Sequence, residues 1–318
     1  MEYRKLGNSD LNISVVGLGA WVMGKEMWAG ADDDESIAAI HAAIDLGINW
    51  VDTAEGYGGG HSETVVGRAL ADRRDKMLIA TKVGPDRLSR ENVLAACDQS
   101  LARLQTDHID LYQIHWPSST GVAIDETMGA LVDLQQQGKI GAIGCSNFDL
   151  AQMADARKYG ALESLQPPWS LFWRHVEKEI VPYCIAQNVG VVAYSPMAQG
   201  LLTGKYTPEN RPPEEDHRNH SILFQGETFD RALKAVARIT EIGASYGKKP
   251  GQTALRWLIQ QPGLTSAIVG ARRPSQVEEN VGAADWTLSD ADLAEISALG
   301  DDVMSTLPDD SPVMWRWG

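Results

Sequence analysis

Apolar and polar positions along the chain follow two alternating patterns. Short apolar runs, such as residues 48–51, stop abruptly at a polar residue or a glycine, which is typical of a buried strand. Between these runs, apolar residues recur at every third or fourth position, as at Ile37, Ile40 and Ile44, which predicts helices. Gly47 follows this segment and is a typical helix terminator. The repeated alternation predicts an α/β fold built on parallel strands.

Eight strand–helix units are predicted, with no linker between them. The predicted strands are residues 15–19, 48–52, 77–82, 109–115, 140–144, 164–166, 189–193 and 265–269. The predicted helices are residues 35–46, 62–70, 89–104, 125–136, 149–159, 177–187, 229–246, 250–260, 274–282 and 289–299. Residues 3–14 predict a small hairpin before the first strand. Residues 199–227 predict a long polar loop, and loops of that length in a compact domain are usually functional.

Eight is the number of units that closes a (β/α)8 TIM barrel. We therefore predict a single domain over residues 1–318, with an N-terminal β-hairpin and extra C-terminal helices. The alternative is an open doubly wound sheet, which would need a glycine-rich phosphate turn directly after the first strand. Gly17 and Gly19 are present there, but the next glycine, Gly24, comes too late for that fingerprint. The pattern therefore favours the barrel.

Composition narrows the classes of function. The chain has 318 residues, of which 43% are apolar, and a formal net charge of −15. That charge argues against nucleic-acid and anionic-membrane partners, since both need clustered basic residues. No apolar run reaches about eighteen residues, and the N-terminus does not resemble a signal peptide, so we expect a cytoplasmic protein. Cys97, Cys145 and Cys184 have no metal-ligand spacing, and the first two are expected to be reduced core residues.

Side chains capable of chemistry lie at or just beyond the ends of three consecutive predicted strands. Asp52 ends the second strand, and Tyr57 lies on the glycine-rich loop just beyond it. Lys82 ends the third strand and His115 the fourth. Taken singly, each is most simply a salt-bridge partner or a core residue. In a closed barrel, however, the carboxyl ends of all strands meet at one rim, so the four side chains are expected to converge.

These four side chains suit acid catalysis by a phenol. A phenol has an ordinary pKa of about 10 and is a weak acid at neutral pH. We expect the Lys82 ammonium to lower the pKa of Tyr57, and lowering it by about 2 corresponds to roughly 2.7 kcal/mol. Asp52 would keep the ammonium charged, and His115 would donate to a substrate oxygen. A proton donor aimed at an oxygen suits carbonyl reduction.

The same four residues match the catalytic tetrad of the aldo-keto reductases. The resemblance runs from about Arg4 to Leu299, and its motifs lie at residues 47–63, 109–117, 141–147 and 268–280. It implies a (β/α)8 barrel that reduces small-molecule carbonyl compounds. It also implies a nicotinamide cofactor, usually NADPH with NADH possible, but neither a Rossmann domain nor a metal. Trp21 and Trp116 directly follow the first and fourth strands and are expected to line the substrate pocket.

The resemblance also assigns cofactor contacts. Ser146, Asn147 and Gln166 are expected to hold the nicotinamide carboxamide, and Tyr194 to stack on the nicotinamide ring. Further contacts are expected near the pyrophosphate, from Ser195, Leu201, Gly204 and Lys205. The last group is expected around the adenosine end of the cofactor, from Gly270, Ala271, Arg272, Gln276, Glu279 and Asn280.

One departure from the family pattern bears on cofactor choice. Some branches have a Lys-Ser pair where this chain has Gly270 and Ala271, and an arginine in place of Gln276. Arg272 and Arg273 lie beside this gap and are predicted to bind the 2′-phosphate instead, because guanidinium suits phosphate. This arrangement is similar to bacterial general-stress and inositol-related branches and to the potassium-channel β-subunits. The alternative is that Arg272 is a solvated surface charge.

Two other classes of function remain open at this point. Lys82 could form a Schiff base, as in class I barrel aldolases, although Asp52 would keep its amine protonated. The chain could instead be a binding module that holds its cofactor as a slow redox sensor.

Trp315 and Trp317 near the C-terminus predict a tail that covers the substrate pocket, with packing on the barrel's side or in a subunit contact as the alternative. The pattern does not predict an oligomeric state.

Overall fold

The computed structural model describes residues 1–25, 32–213 and 216–308. Its strands are β1 (Tyr3–Lys5), β2 (Asn12–Ser14), β3 (Val16–Gly19), β4 (Trp50–Asp52), β5 (Leu78–Val83), β6 (Ile109–Ile114), β7 (Ile140–Ser146), β8 (Ser164–Gln166), β9 (Gly190–Ala193) and β10 (Leu264–Gly270). Its helices are α1 (Asp33–Asp45), α2 (His61–Leu70), α3 (Arg90–Leu104), α4 (Ile124–Gln136), α5 (Leu150–Ala156), α6 (Ile180–Gln187), α7 (Gly226–Ser245), α8 (Pro250–Ile259), α9 (Pro274–Val281) and α10 (Asp290–Met304).

The strands β3 to β10 form a closed barrel. Each strand pairs in parallel with the next along the chain, and β10 pairs in parallel with β3, with Gly270 opposite Gly19. This closure confirms the predicted (β/α)8 barrel and is incompatible with an open doubly wound sheet. The carboxyl ends of all eight barrel strands therefore meet at one rim. The single-domain organisation stays a prediction.

Local sequence signals account for several helix ends. The Asp32 side chain accepts a hydrogen bond from the Glu35 backbone at the start of α1, and three acidic residues follow in the first turn. At the start of α5, Asp149 and Gln152 form a reciprocal capping box. Ser89 precedes α3 as predicted, but its side chain makes no capping hydrogen bond. These signals set where the helices begin, while burial of their apolar faces against the barrel supplies most of their stability.

The N-terminal hairpin of β1 and β2 contributes to a second apolar cluster, distinct from the main core. Leu6 and Ile13 from this segment pack with Trp50 of β4 and with residues of five other strands. The Trp50 indole donates to the Ser14 carbonyl at 3.1 Å. A Cβ atom added at Gly17 would overlap this indole. A glycine at this position therefore makes room for the large side chain inside the barrel.

Several boundaries differ from the prediction. β7 extends to Ser146 rather than ending at residue 144, and β5 extends one residue beyond Lys82. The predicted long polar loop contains short 3-10 turns, including Ala198–Thr203, and α7 begins at Gly226 rather than at residue 229. Short backbone turns carry no clear apolar period, so the sequence pattern does not reveal them. The tail with Trp315 and Trp317 lies outside the described residues.

Candidate active site

The Lys82 ammonium lies at the centre of the predicted tetrad. Its side chain is 0% exposed. Nζ donates to Asp52 Oδ1 at 2.7 Å, to the Thr53 carbonyl at 2.7 Å and to the Tyr57 hydroxyl oxygen at 3.1 Å. These bonds use all three protons of the ammonium. Burial lowers the pKa of Lys82, but Asp52 and Tyr57 together raise it by more, so the amine stays charged at neutral pH.

Tyr57 is held by the backbone around it. Its amide donates to the Ala54 carbonyl at 3.1 Å, closing a turn directly after β4. A Cβ added at Gly24 would lie 2.8 Å from the Tyr57 carbonyl carbon, so the loop after β3 packs closely against this turn. The neighbouring Glu55 carboxylate accepts from the Gly84 amide at 2.8 Å and ties the turn to the end of β5. Three successive strand ends thus position the phenol.

The pKa of Tyr57 differs from the sequence-based expectation. Burial raises this pKa above 10, the Asp52 carboxylate raises it further, and the Lys82 ammonium lowers it by less than these two together. The expected net lowering is therefore wrong, although the contribution of Lys82 has the predicted sign. The physical reason is that the loss of water around the phenolate and its repulsion by Asp52 together outweigh its attraction to the single ammonium. Tyr57 thus stays protonated at neutral pH.

His115 and Trp21 flank the phenol. The His115 ring lies edge-on to the Tyr57 ring, with 5.6 Å between the centroids. Burial and the Lys82 charge lower the pKa of His115 to about 3, so its imidazole is neutral at pH 7. The Trp21 ring lies 6.2 Å from the Tyr57 ring. Trp116 follows His115 and is half-buried, and its role in a substrate pocket stays a prediction.

The second carboxylate oxygen of Asp52 is held by two amides. Gln166 Nε2 donates to Asp52 Oδ2 at 2.8 Å, and Gln113 Nε2 donates to the same oxygen at 3.3 Å. Gln166 Nε2 also lies 3.4 Å from Gln113 Oε1. Sequence reasoning missed Gln113, because it lies inside the apolar run of β6. A polar amide within an otherwise apolar strand was the available signal.

Ser146, Asn147 and Tyr194 extend this network along the rim. Ser146 Oγ donates to the Gln166 carbonyl at 2.7 Å, and Asn147 Nδ2 donates to Ser146 Oγ at 2.9 Å. The Tyr194 hydroxyl donates to Asn147 Oδ1 at 3.0 Å. Asn147 has a positive φ of 60°, an uncommon conformation outside glycine that is found often at functional sites. Ser146, Asn147 and Tyr194 are therefore linked to Asp52 through Gln166.

Gln166 provides a direct test of whether these residues fit a nicotinamide. Its Nε2 is engaged by Asp52 and Gln113, as described above, and Gln166 itself is only 2% exposed. No donor within the described residues contacts its Oε1. An amide oxygen without a protein donor is open to a donor from a ligand or from water. A carboxamide N–H₂ group is such a donor, so the site fits a nicotinamide.

The segment after β9 has a strained backbone. Ser195 has a φ of 52° and Gln199 a φ of 58°, and both lie in the left-handed region that non-glycine residues rarely occupy. Gly204 has a φ of 78°, which suits a glycine. Leu201 is buried in the core, and its contact with a pyrophosphate stays a prediction. Strained loops of this kind occur often where backbone groups contact ligands.

A group of cations lies around the side chain of Lys205. Burial lowers the pKa of Lys205, and the nearby charges of Arg218 and Arg272 lower it further. Asp216 opposes this effect and accepts from Arg218 Nε at 2.7 Å. Three cations with one nearby carboxylate form a local excess of positive charge, which fits a bound phosphate. Sequence reasoning missed Arg218, because it lies in the long loop rather than at a strand end.

The residues predicted around an adenosine lie at the end of β10 and on α9. Gln276 Oε1 accepts from the Arg272 backbone at 2.8 Å, which closes the loop between these elements. The Glu279 carboxylate pairs with Lys249 Nζ at 2.9 Å. Gly270 is exposed, whereas Ala271 and Asn280 are buried. The predicted residues are thus neighbours in the structure, and their contacts with a cofactor stay a prediction.

No group of three or more histidine, cysteine, aspartate or glutamate side chains in residues 1–25, 32–213 and 216–308 could hold a metal ion. Among the helices in these ranges, none is both long and apolar enough to cross a membrane.

Comparison with known proteins identifies the family. The family model described as "Aldo/keto reductase family" matches residues 15–301. The chain belongs to the aldo/keto reductase family. This match confirms the family resemblance that the sequence motifs indicated. As an aldo/keto reductase, the protein is an oxidoreductase.

Two curated relatives of this aldo/keto reductase cover nearly the whole chain. "Aldo-keto reductase YhdN" of Bacillus subtilis (strain 168) is 39% identical over 316 residues, covering 96% of this chain and 95% of that protein. "NADH-specific methylglyoxal reductase" of Escherichia coli (strain K12) is 36% identical over 315 residues, covering 92% of this chain and 96% of that protein.

Two solved structures share the fold along its full length. The glycerol dehydrogenase AKR11B4 from Gluconobacter oxydans has a TM-score of 0.86 and 36% identity, with 99% of each chain covered. An aldo-keto reductase from Klebsiella pneumoniae in complex with NADPH has a TM-score of 0.79 and 28% identity, with 100% of each chain covered.

Proposed function

We propose that this aldo/keto reductase reduces the carbonyl group of an aldehyde or ketone, with Tyr57 as the general acid. The observation that carries the proposal is the hydrogen bond from Lys82 Nζ to the Tyr57 hydroxyl oxygen at 3.1 Å. An ammonium group only donates, so the Tyr57 oxygen is the acceptor in this contact. The phenolic proton is thereby left for another acceptor. A substrate carbonyl oxygen is such an acceptor.

The other tetrad residues support proton transfer from Tyr57. As the carbonyl oxygen gains electron density, it takes the Tyr57 proton, and the phenolate that remains is stabilised by the Lys82 charge. Asp52 pairs with Lys82 at 2.7 Å and keeps the ammonium oriented. His115 is neutral, since its pKa is lowered to about 3, and its ring N–H is able to donate to the same substrate oxygen without competing as an acid. These fixed donors stabilise charge as it develops.

The chain's own residues account for how a nicotinamide cofactor would be held. When bound, such a cofactor supplies the hydride for the carbonyl carbon. Gln166 Oε1 would accept from its carboxamide, and the Tyr194 ring, fixed through Asn147, would lie against the nicotinamide. Lys205 and Arg272 would hold the phosphates. A structural neighbour binds NADPH and a relative is NADH-specific, so relatives differ in cofactor. The excess of cations near Lys205 favours NADPH here.

The environment of Lys82 argues against the Schiff-base alternative. An aldolase lysine must present an unprotonated amine to its substrate. Lys82 is fully buried, its three ammonium protons are engaged, and its pKa is raised. Each of these features opposes attack on a carbonyl carbon, so reduction is the better-supported reaction.

A panel of aldehydes and ketones, assayed with NADPH and NADH in parallel, tests the proposal. Steady consumption of cofactor that depends on the carbonyl compound, and that is lost in Tyr57→Phe, is the expected result. The alternative of a slow redox sensor predicts tight cofactor binding with a single turnover at most. Absence of steady turnover across the panel would therefore contradict the proposed reductase and favour the sensor.

A further inference from the structure

Asp52 uses one carboxylate oxygen for Lys82 and the other for two buried amides. We propose that Gln113 is a positioning residue for carbonyl reduction. It holds Asp52 Oδ2 and orients the Gln166 amide, so that Gln166 Oε1 is left to accept from the nicotinamide carboxamide. This inference rests on the proposed function and deepens it, because it links the tetrad to the cofactor site through a residue outside both.

The direction of each hydrogen bond follows from the charge of Asp52. A carboxylate only accepts hydrogen bonds, so both amides must turn their N–H₂ groups toward Oδ2. The contacts are 2.8 Å from Gln166 Nε2 and 3.3 Å from Gln113 Nε2. Gln166 Nε2 has a second proton, and Gln113 Oε1 lies 3.4 Å away to accept it. With both protons engaged, the oxygen branch of the Gln166 amide points away from Asp52 and Gln113.

The location of Gln113 supports a role in orientation rather than simple filling of the barrel interior. It is 0% exposed on β6, where Lys82 is its registered partner on β5. An unpaired buried amide costs free energy that an apolar side chain of similar size would not. A leucine would fill this space equally well. The amide is therefore explained by its two polar contacts, both of which lead to the site.

Loss of Gln113 would affect both catalysis and cofactor binding. Asp52 Oδ2 would keep only Gln166, so the carboxylate that fixes Lys82 would be free to rotate. The Gln166 amide would lose the acceptor for its second proton and would be less strictly oriented. We expect the first effect to lower kcat, because Lys82 orients Tyr57. We expect the second to weaken cofactor binding, which is measurable without turnover.

The test compares two substitutions with a matched control on the same strand. Gln113→Leu removes both polar contacts. Gln113→Glu keeps the shape, and its neutral carboxylic acid donates to Asp52 Oδ2, whereas its ionised form repels that oxygen. Tyr112→Phe is the control, because the Tyr112 hydroxyl is buried without a hydrogen-bond partner among the described residues. The measurements are kcat and KM across pH, NADPH binding by quenching of protein fluorescence, and melting temperature.

Gln113→Leu should lower kcat about 10- to 100-fold, the range for losing a bond to a charged group. It should weaken NADPH binding about 2- to 10-fold. Gln113→Glu should recover kcat as pH falls, with an apparent pKa above the ordinary value of about 4.3, because burial and Asp52 both disfavour its ionised form. For the same reason its folded state binds more protons than its unfolded state. Its melting temperature should then fall, relative to wild type, as pH rises.

Tyr112→Phe should match the wild type in kcat and NADPH binding. The inference is overturned if Gln113→Leu keeps both quantities within about twofold of wild type, or if Gln113→Glu shows no gain in kcat at low pH. Should Gln113→Leu fail to fold, the pH dependence of Gln113→Glu decides the matter alone. A wild type without carbonyl turnover refutes the proposed function instead. If the wild type reduces carbonyl compounds and the Gln113 variants have unchanged kcat and NADPH binding, only this inference is refuted.

Discussion

The Lys82 ammonium donates to the Tyr57 hydroxyl oxygen at 3.1 Å, although the two residues are 25 positions apart. Each lies at the carboxyl end of a strand or on the turn that follows it, and the strands are neighbours in the barrel. The contact has two consequences. It determines which way the phenolic proton is free to point, and it offsets part of the cost of burying the phenol.

Replacing Tyr57 with phenylalanine should remove the proton donor and leave the site otherwise intact. We expect Tyr57→Phe to lower kcat for carbonyl reduction by at least about 10²-fold, the lower range for general acid catalysis. NADPH affinity should stay close to wild type. Tyr159→Phe, at a residue on the surface, is the matched control and should be fully active. Near-normal reduction by Tyr57→Phe would show that another group supplies the proton.

The raised pKa of Tyr57 predicts the alkaline limit of the reaction. A general acid must be protonated, and with a pKa above 10 the phenol keeps its proton throughout the neutral and mildly alkaline range. Reduction should therefore decline only above about pH 10. The reverse oxidation needs the phenolate as a base, so its rate should rise with pH toward the same point. A decline of reduction centred near pH 8, as measured by initial rates, would contradict this prediction.

The lowered pKa of His115 predicts a loss of stability in acid. Its pKa is about 3 in the folded protein, against about 6.5 in an unfolded chain. Between these values the unfolded chain binds the proton and the folded protein does not, so stability falls as pH drops from about 6.5 toward 3. His115→Asn removes this titration. Its melting temperature should therefore fall less steeply over that range than that of wild type; parallel curves would refute the prediction.

Arg272 is predicted to distinguish NADPH from NADH through the 2′-phosphate. We expect Arg272→Ala to weaken NADPH binding by about 1.5–3 kcal/mol, the range for a hydrogen bond to a charged group, while NADH binding changes little. Arg273→Ala is the matched comparison, because Arg273 is adjacent and exposed. It should have the smaller effect. Equal losses of affinity for both cofactors in Arg272→Ala would show that Arg272 does not recognise the phosphate.

Gly17 is predicted to be required for packing. A Cβ at this position would overlap the Trp50 indole inside the barrel. Gly17→Ala should therefore destabilise the protein by about 1–3 kcal/mol, the usual cost of overpacking a core. Gly56→Ala is the control for stability, because no heavy atom lies within 4 Å of the Cβ it would add. Denaturant unfolding of both variants checks this, and equal stability of the two would contradict it.

The order of the elements was largely determined by the sequence, because helices and buried strands differ in the period of their apolar positions. The count of eight units predicted the barrel, and the barrel predicted that Asp52, Tyr57, Lys82 and His115 converge. To locate the site, it was enough to know which side chains lie near the carboxyl ends of the strands. An error of one residue in a strand boundary did not change this. A strand one residue longer, as at Lys82, still places its side chain at the rim.

Gln113 and Arg218 show what the sequence left undecided. Gln113 lies within an apolar run, and only barrel closure decides that its amide meets Asp52 rather than a helix. Arg218 lies in a loop without periodicity, and only folding brings its charge near Lys205 and Arg272. Neither contact has a local signal, because each depends on residues far away in the sequence.

For the pKa of Tyr57, too, one part was determined by the sequence and another only by the tertiary structure. The sequence by itself determined which groups are present and that Lys82 would favour the phenolate. Only the tertiary structure decided the net direction of the phenol's pKa, because that depends on how much water the fold removes from the site. Attraction between two charges follows from their identity, but the cost of burying them follows from every residue packed around them.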